Sequence, residues 1–301
     1  MTAHSQSHPP QIFDRDLLER RRARIAASAS AHDFLLERIA TEFAERLTAV
    51  RRVFPVMADI GAHHGVMGRA LHATAGLERL ISIENTPGLL AQCHGTRVAG
   101  DLESLPLAPA SVDLAVSALA LHLTNDLPGA LTQIRRAVKP DGLFMGCLLG
   151  GATLRELREA WLVAEAELTG GASPRVAPFA DVRDLGGLLQ RAGFALPVVD
   201  SETLTVTYAT PFALMAEIKA MGASNMLVER SRRPVTRRLV ARAAEVYTER
   251  FGLANGRVPA TFEVITLTAW VPHESQPKPL RPGSATSSLA DALGVPEGKL
   301  R

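Results

Sequence analysis

The chain has 301 residues, 47% of them hydrophobic, which supplies one large α/β core or two average domains. A net charge of +2 gives no global field for nucleic acid, and the two cysteines, Cys93 and Cys147, belong to no CxxC or Cys/His group, so neither a disulfide framework nor a structural zinc site is expected. The polar start "MTAHSQSHPP" has no apolar h-region and no apolar run reaches the roughly 20 residues of a membrane span, so neither secretion nor insertion is expected.

Residues 1–52 read as an N-terminal arm and a helix. Arginines cluster in "RDLLERRRARIAA", as they do later in "ERSRRPVTRRLVAR", and such clusters are ordinarily solvated helix faces. In "HDFLLERIATEFAERLTAV", Leu36, Ile39, Phe43, Leu47 and Val50 stand three or four apart, the period of an amphipathic helix. Over 53–150, the short apolar runs "VMADIG", "LISIEN", "RVAG", "VDLAVSALAL" and "GLFMGCLLG" alternate with helical stretches. That alternation predicts a parallel sheet with crossover helices. In "TNDLPGALTQIRRAVKPDG", Leu127, Leu131, Ile134 and Val138 make one helical face, Asn125 or Asp126 caps its start, and Lys139-Pro140-Asp141-Gly142 is expected to turn.

Residues 151–272 read as a helical annex with two late strands. Leu154, Leu157, Trp161, Ala164 and Leu168 mark a long helix, "DVRDLGGLLQRAG" a second, and further helices are expected near 211–222 and 233–251. "LPVVDSETLTVTY" and "FEVITLTAWV" are expected to pair as a hairpin at the sheet edge. Residues 273–301, rich in proline, serine and glycine, read as an extended tail with one short helix near "SLADALG".

The stretch "VMADIGAHHGVMGRAL" has a strand, an acid and a glycine turn opening a helix, an arrangement that places backbone N–H groups beside an anionic or polar ligand. Gly61 and Gly65 fit the first and last places of such a turn. The next strand ends in Glu84, where dinucleotide folds carry an acid that accepts from ribose hydroxyls, and the third leads to Asp101, so three strand ends converge on one crevice. No GxxxxGK[ST] loop is present, and ribose-binding acids suit an adenosine better than a triphosphate. Taken singly, Gly61 is a turn residue, Glu84 a strand-end carboxylate and Asp101 an N-cap.

Together, "DIGAHHG", "SIEN", "GDLESLP" and "SALALHLTNDLPGALTQIRRAVKPDG" resemble the class I S-adenosylmethionine-dependent methyltransferase superfamily. A narrower resemblance runs from "IFDRDLLERRRARIAA" through "GGATLRELREA" and "GGASPRVAPFADVRDLGGLLQRAGF" to "RVPATFEVITLTAWVPHESQPKP": it is to the respiratory complex I assembly factor 5 family, arginine hydroxylases of the methyltransferase fold. The resemblance implies an α/β fold with a seven-stranded, mostly parallel, Rossmann-like sheet, flanking helices and a helical annex. It implies S-adenosylmethionine as cofactor and, as partner, a complex I core subunit modified at an arginine, with no nucleic acid and only peripheral contact with the membrane complex. By the same resemblance Asp59, Gly61, His63 and Gly65 form the cofactor loop bordering the methionine part, Glu84 holds the ribose, Asp101 with Leu102 the adenine, and Ser117 faces the sulfonium. The mitochondrial relatives carry a transit peptide, and its absence here makes a cytoplasmic, bacterial counterpart the expectation.

His63 stands where the superfamily has its middle glycine, and a Cβ there forces displacement or a clash unless the imidazole points outward. His63, His64 and His122 with Asp59 or Glu84 would make a non-haem iron site, but adjacent histidines on a turn usually point apart, and no metal is assigned. His122, after the fourth strand, is the candidate general base, because an unperturbed imidazole titrates near 6.5; a pocket wall is the plainer role. Met221 to Asn225, in "AMGASN", either close the pocket or cap a helix end. Three functions follow: modification of a complex I arginine, by hydroxylation; methylation of a small acid or acyl carrier; and a non-catalytic assembly chaperone. Replacing Glu84 by alanine is expected to weaken nucleoside binding and leave the fold intact.

Overall fold

The sheet starts from the apolar run at Val56–Ile60, β1, which pairs in parallel with β2 (Arg79–Glu84) on one side and β4 (Val112–Ala118) on the other. The computed structural model describes residues 11–73 and 76–277, so the short helix expected near "SLADALG" lies outside the described residues. With β3 (Thr96–Ala99), β5 (Val138–Leu149), β6 (Ala195–Tyr208) and β7 (Val258–Trp270) the sheet has seven strands in the order β3-β2-β1-β4-β5-β7-β6. The chain leaves β1 in one direction and returns to its other side at β4, which makes the β1/β4 boundary the topological switch point, the crevice where open α/β sheets bind ligands.

β7 runs antiparallel to both β5 and β6. The two late strands therefore pair as expected, but through α8 (Pro211–Ala220) and α9 (Arg237–Phe251) rather than a tight hairpin, and β7 wedges between β5 and β6. The Lys139–Gly142 turn is corrected to a bulge inside β5. Val138 pairs with Val112 and Leu143 with Leu114, so four residues loop out opposite one, with Asp141 in the left-handed region at φ 66°. Strand pairing on both sides holds the segment in the sheet, and Pro140 and Gly142 shape the detour.

Alternate side chains feed two layers. Met57, Leu114, Val116 and Met145 face α2 (Phe34–Thr48), α3 (Val66–Leu71), α6 (Arg155–Thr169) and α9, where Phe43, Trp161 and Tyr247 fill the core. Ala58, Ile60, Ala115 and Phe144 face α5 (Leu127–Ala137) and α7 (Val182–Arg191), packed through Leu131, Ile134, Leu185 and Leu189. Asp126 caps α5 by accepting from Gly129 N, whereas Asn125 accepts from Ile12 N and Phe13 N, both at 2.8 Å. Asn125 thus fastens the arm that leads into α1 (Arg15–Ile25). No helix among the described residues is long and apolar enough to cross a membrane.

Candidate functional site

The loop after β1 bends through three left-handed residues, Gly61 (φ 71°), His63 (φ 52°) and Gly65 (φ 83°). A Cβ on Gly61 would lie 2.4 Å from Ala120 Cβ, and one on Gly65 3.1 Å from Cys93 Cα, so both glycines are sterically required. His63 tolerates the middle position by taking the left-handed backbone itself. The consequence is that the loop's donors are spent internally: Gly61 N and Ala62 N donate to Ile83 O, and His63 N to Glu84 Oε2 at 3.1 Å. The expected fan of free N–H groups is not what this loop presents.

The adjacent histidines do not point apart. His63 Nδ1 and His64 Nδ1 are 2.7 Å apart, and His64 Nε2 lies 2.9 Å from Asp33 Oδ2. Asp33 is the N-cap residue of α2, but its carboxylate makes no capping bond and reaches the histidine instead. Among the described residues no cluster of three or more ligating side chains could hold a metal.

Glu84 is 1% exposed and fully engaged: Oε1 accepts from Thr86 N at 3.0 Å, Oε2 from His63 N, and Arg22 Nη1 stands 3.5 Å away. Removing this side chain would leave a buried guanidinium and two N–H groups without their partner, so the expectation that Glu84→Ala spares the fold is corrected. Asp101 Oδ1 accepts from Glu103 N at 2.7 Å and pairs with Arg15 at 2.8 Å. Asp59 is completely buried with neither oxygen hydrogen-bonded; burial, with the nearby Glu84 charge, pushes it up to about 7, and the Gly68 N–H acts on it without reaching hydrogen-bonding geometry. Ser117 faces no cavity, because its hydroxyl donates to Ile60 O at 2.8 Å and ties β4 to β1. Ala118 and Leu119 line the cavity at the strand end instead.

A cavity of about 320 Å³ opens beyond the β1 and β4 ends. Its wall is mainly apolar, with Leu35, Leu157, Trp161, Phe179 and Phe262, and its polar groups include Arg22, Asp33, His63 and His122. His122 lies edge-on to Phe179 with its Nδ1 buried and unpartnered. Burial, helped by Arg22, pushes it down to about 3 rather than leaving it unperturbed, so it is a neutral ring with an open nitrogen. Met221 to Asn225 line the same cavity, and Gly222 at φ 74° follows the end of α8, so the turn closes both.

Helix α1 lies across the strand ends, and three of its five arginines turn inward while Arg20 and Arg24 stay exposed. Arg15 pairs with Asp101 and Glu103, Arg22 is buried against Glu84, and Arg21 donates to the carbonyls of Ser224 and Asn225. Buried Leu18 fills the space between. The crevice lined by Glu84, Leu102, Ala120 and these α1 side chains keeps only about 10 Å³, room for about one water.

A family model described as a methyltransferase domain matches residues 58–146. The chain is 38% identical over 301 residues to "Arginine-hydroxylase NDUFAF5, mitochondrial" of Danio rerio, covering 96% of this chain and 91% of that one. The Homo sapiens counterpart is 37% identical over 300 residues, covering 96% and 86%. The chain belongs to the class I methyltransferase superfamily, near the NDUFAF5 arginine hydroxylases. A malonyl-(acyl-carrier protein) O-methyltransferase of Halorhodospira halophila is 35% identical over 270 residues, covering 85% and 90%. Of solved structures, the YcgJ protein of Bacillus subtilis superposes with a TM-score of 0.53 at 16% identity, covering 78% of this chain and all but 1% of its own, which shows the fold. Haemonchus contortus phosphoethanolamine N-methyltransferase 2, in complex with S-adenosyl-L-methionine, gives the same TM-score at 15% identity over 86% of this chain and 60% of that one.

The superfamily's nucleoside can be tested against the residues present. Glu84 and Leu102 border the expected crevice in kind, with Asp101 beside them. With α1 in place, however, both Glu84 oxygens are taken and the space admits about one water, so the nucleoside half does not fit this arrangement. The residues that close the crevice, Arg15, Leu18 and Arg22, escaped sequence reading. A basic stripe on a short helix gives no signal of facing inward, and only the matching acids at Asp101, Glu103 and Glu84 could have suggested it.

Proposed function

We propose that this protein modifies an arginine side chain of a respiratory complex I core subunit, adding one oxygen, as a cytoplasmic protein that contacts the membrane complex only peripherally. The observation that carries the reading is identity of 37–38% along 96% of the chain to relatives whose printed name is arginine-hydroxylase. The site supports it in one respect of its own. The crevice already receives a guanidinium, because Arg22 enters it and lies 3.5 Å from the buried Glu84 carboxylate. A substrate arginine held in the adjoining cavity of about 320 Å³, which Arg22 also lines, could exchange with Arg22 at that acid, and the volume suits a side chain and its flanking backbone. S-adenosylmethionine, in this reading, binds across the strand ends only after α1 withdraws. Mass spectrometry of complex I subunits from cells with and without the protein tests the reading; one added oxygen at an arginine supports it, and an added methylene or no difference removes it.

A second reading is favoured by the closed nucleoside crevice: an assembly chaperone that keeps the fold without the cofactor. Calorimetric titration with S-adenosylmethionine separates the two, since heat of binding argues against a vestigial site. Methylation of an acyl-carrier substrate is supported by the 35% identity to the malonyl-(acyl-carrier protein) enzyme, and an added methylene on such a carrier would establish it.

A further inference from the structure

The histidine that displaces the middle glycine has a chemical use. We propose that His63 is the proton acceptor of the cavity, and that His64 and Asp33 are positioning residues which set its tautomer and carry the proton away. The proposal rests on reading the cavity as the substrate site and adds to it the group that takes the proton.

The three side chains form one line: Asp33 Oδ2 to His64 Nε2 at 2.9 Å, and His64 Nδ1 to His63 Nδ1 at 2.7 Å. His63 lines the cavity, and among the described residues its ring is hydrogen-bonded only through Nδ1. Asp33 accepts, so His64 Nε2 carries hydrogen. In the neutral pair, His64 Nδ1 is then bare and accepts from His63 Nδ1–H, which leaves the lone pair on His63 Nε2, in a ring that lines the cavity.

A proton from a substrate N–H or O–H, or from water, bonds to His63 Nε2 as its bond to the donor breaks. His63 then releases its Nδ1 proton to His64 Nδ1. The ring that faces the cavity ends neutral as Nε2–H, and the positive charge rests on His64 against the Asp33 carboxylate. The relay answers a difficulty posed by the surroundings. His63 cannot itself hold a charge: burial, Arg22 and His64 push it down to about 3. Other charged or titratable neighbours leave the line intact. Glu84 accepts from the His63 backbone, Cys93 Sγ–H donates to His63 O, and Arg69 donates to His64 O, so none competes for a ring nitrogen. His122, across the cavity, has no such partner chain.

The test is carbethoxylation of the full chain with diethyl pyrocarbonate, read by peptide mass spectrometry. The reagent reports a bare ring nitrogen: the N–C bond forms on it and the reagent's C–O bond breaks, releasing ethyl carbonate. His63 is expected to react, and Asp33→Asn to slow it about tenfold and move the half-loss of reactivity to lower pH, because the proton no longer rests beside an anion. Exposed His94 is the internal control and should react equally in both. A His63 that stays unmodified while His94 reacts, or that reacts at equal rates and with the same pH profile in both proteins, overturns the relay.

His63→Gly is the fold-safe companion, since glycine accepts the left-handed backbone at this position. It should abolish arginine modification while leaving S-adenosylmethionine affinity unchanged or improved; full activity in that variant overturns the proposal. If wild-type protein modifies no arginine, the proposed function fails, and the acylation profile still decides the relay.

Discussion

Asp59 offers the sharpest thermodynamic test, because a completely buried carboxyl without a hydrogen bond is rare in a folded protein. Its side chain is pushed up to about 7, from about 3.9 in an unfolded chain. That is about three pH units, and at about 1.4 kcal/mol per unit the ceiling is about 4 kcal/mol. Relaxation around the site reduces it, so the expected effect is on the order of 2–4 kcal/mol. The sign follows from proton counting. Between about pH 4 and 7 the folded state keeps a proton that the unfolded chain has lost, so this group's effect is to lower stability as pH rises through that window. Asp59→Asn keeps the shape and removes the titration. Urea unfolding of both proteins from pH 4.5 to 8.5 gives two stability curves in which all other groups cancel on subtraction. The difference curve should fall by about 2–4 kcal/mol toward high pH. Parallel curves would refute the reasoning, and would mean that Asp59 finds a partner, such as water, that the structure does not show.

His122 acts in the opposite direction: its ring is held neutral down to about 3, whereas the unfolded imidazole charges below about 6.5, so its contribution is lost as pH falls through that interval. His122→Gln should flatten the acid limb of the stability curve, and an unchanged limb would contradict the burial assigned to it. Gly61→Ala puts a methyl 2.4 Å from Ala120 Cβ on a backbone at φ 71° and should cost on the order of 2–4 kcal/mol; a melting temperature within a degree of wild type would show that the loop yields freely. Glu84→Gln gives up the charge beside Arg22 and turns an amide NH₂ toward backbone donors, which should cost on the order of 2–4 kcal/mol. The readout is thermal unfolding, with loss of several degrees expected and none contradicting the ties assigned to Glu84.

The sheet was legible because buried strands announce themselves as short apolar runs, and five such runs between residues 56 and 149 became β1 to β5. The order of the late strands was not, since β6 and β7 are separated by two helices and nothing local says that β7 inserts beside β5. At the site, Gly61, Gly65 and Glu84 could be placed by motif and strand-end logic. What their neighbours do could not. The resemblance gives Ser117 a sulfonium-facing role, but which way a strand-end residue points depends on a one-residue register, and here it bonds Ile60 O. The inward arginines of α1, Arg15, Arg21 and Arg22, read as solvated because charge on a helix says nothing about which groups the tertiary fold brings to meet it. Lys139–Gly142 has every turn residue and still lies within a strand, since paired residues on both sides outweigh local preference. The His63–His64 contact was unforeseen, because opposite outward orientations are the default on a turn and Asp33 lies 31 residues from His64.

The central claim, that this methyltransferase-fold protein modifies a complex I arginine, is tested most directly by peptide mass spectrometry of the assembled complex from cells carrying wild-type protein, the His63→Gly variant or none. A single added oxygen on one arginine, present with wild type and missing in the other two, is the predicted result. An identical arginine mass in all three would contradict the account and leave a scaffold.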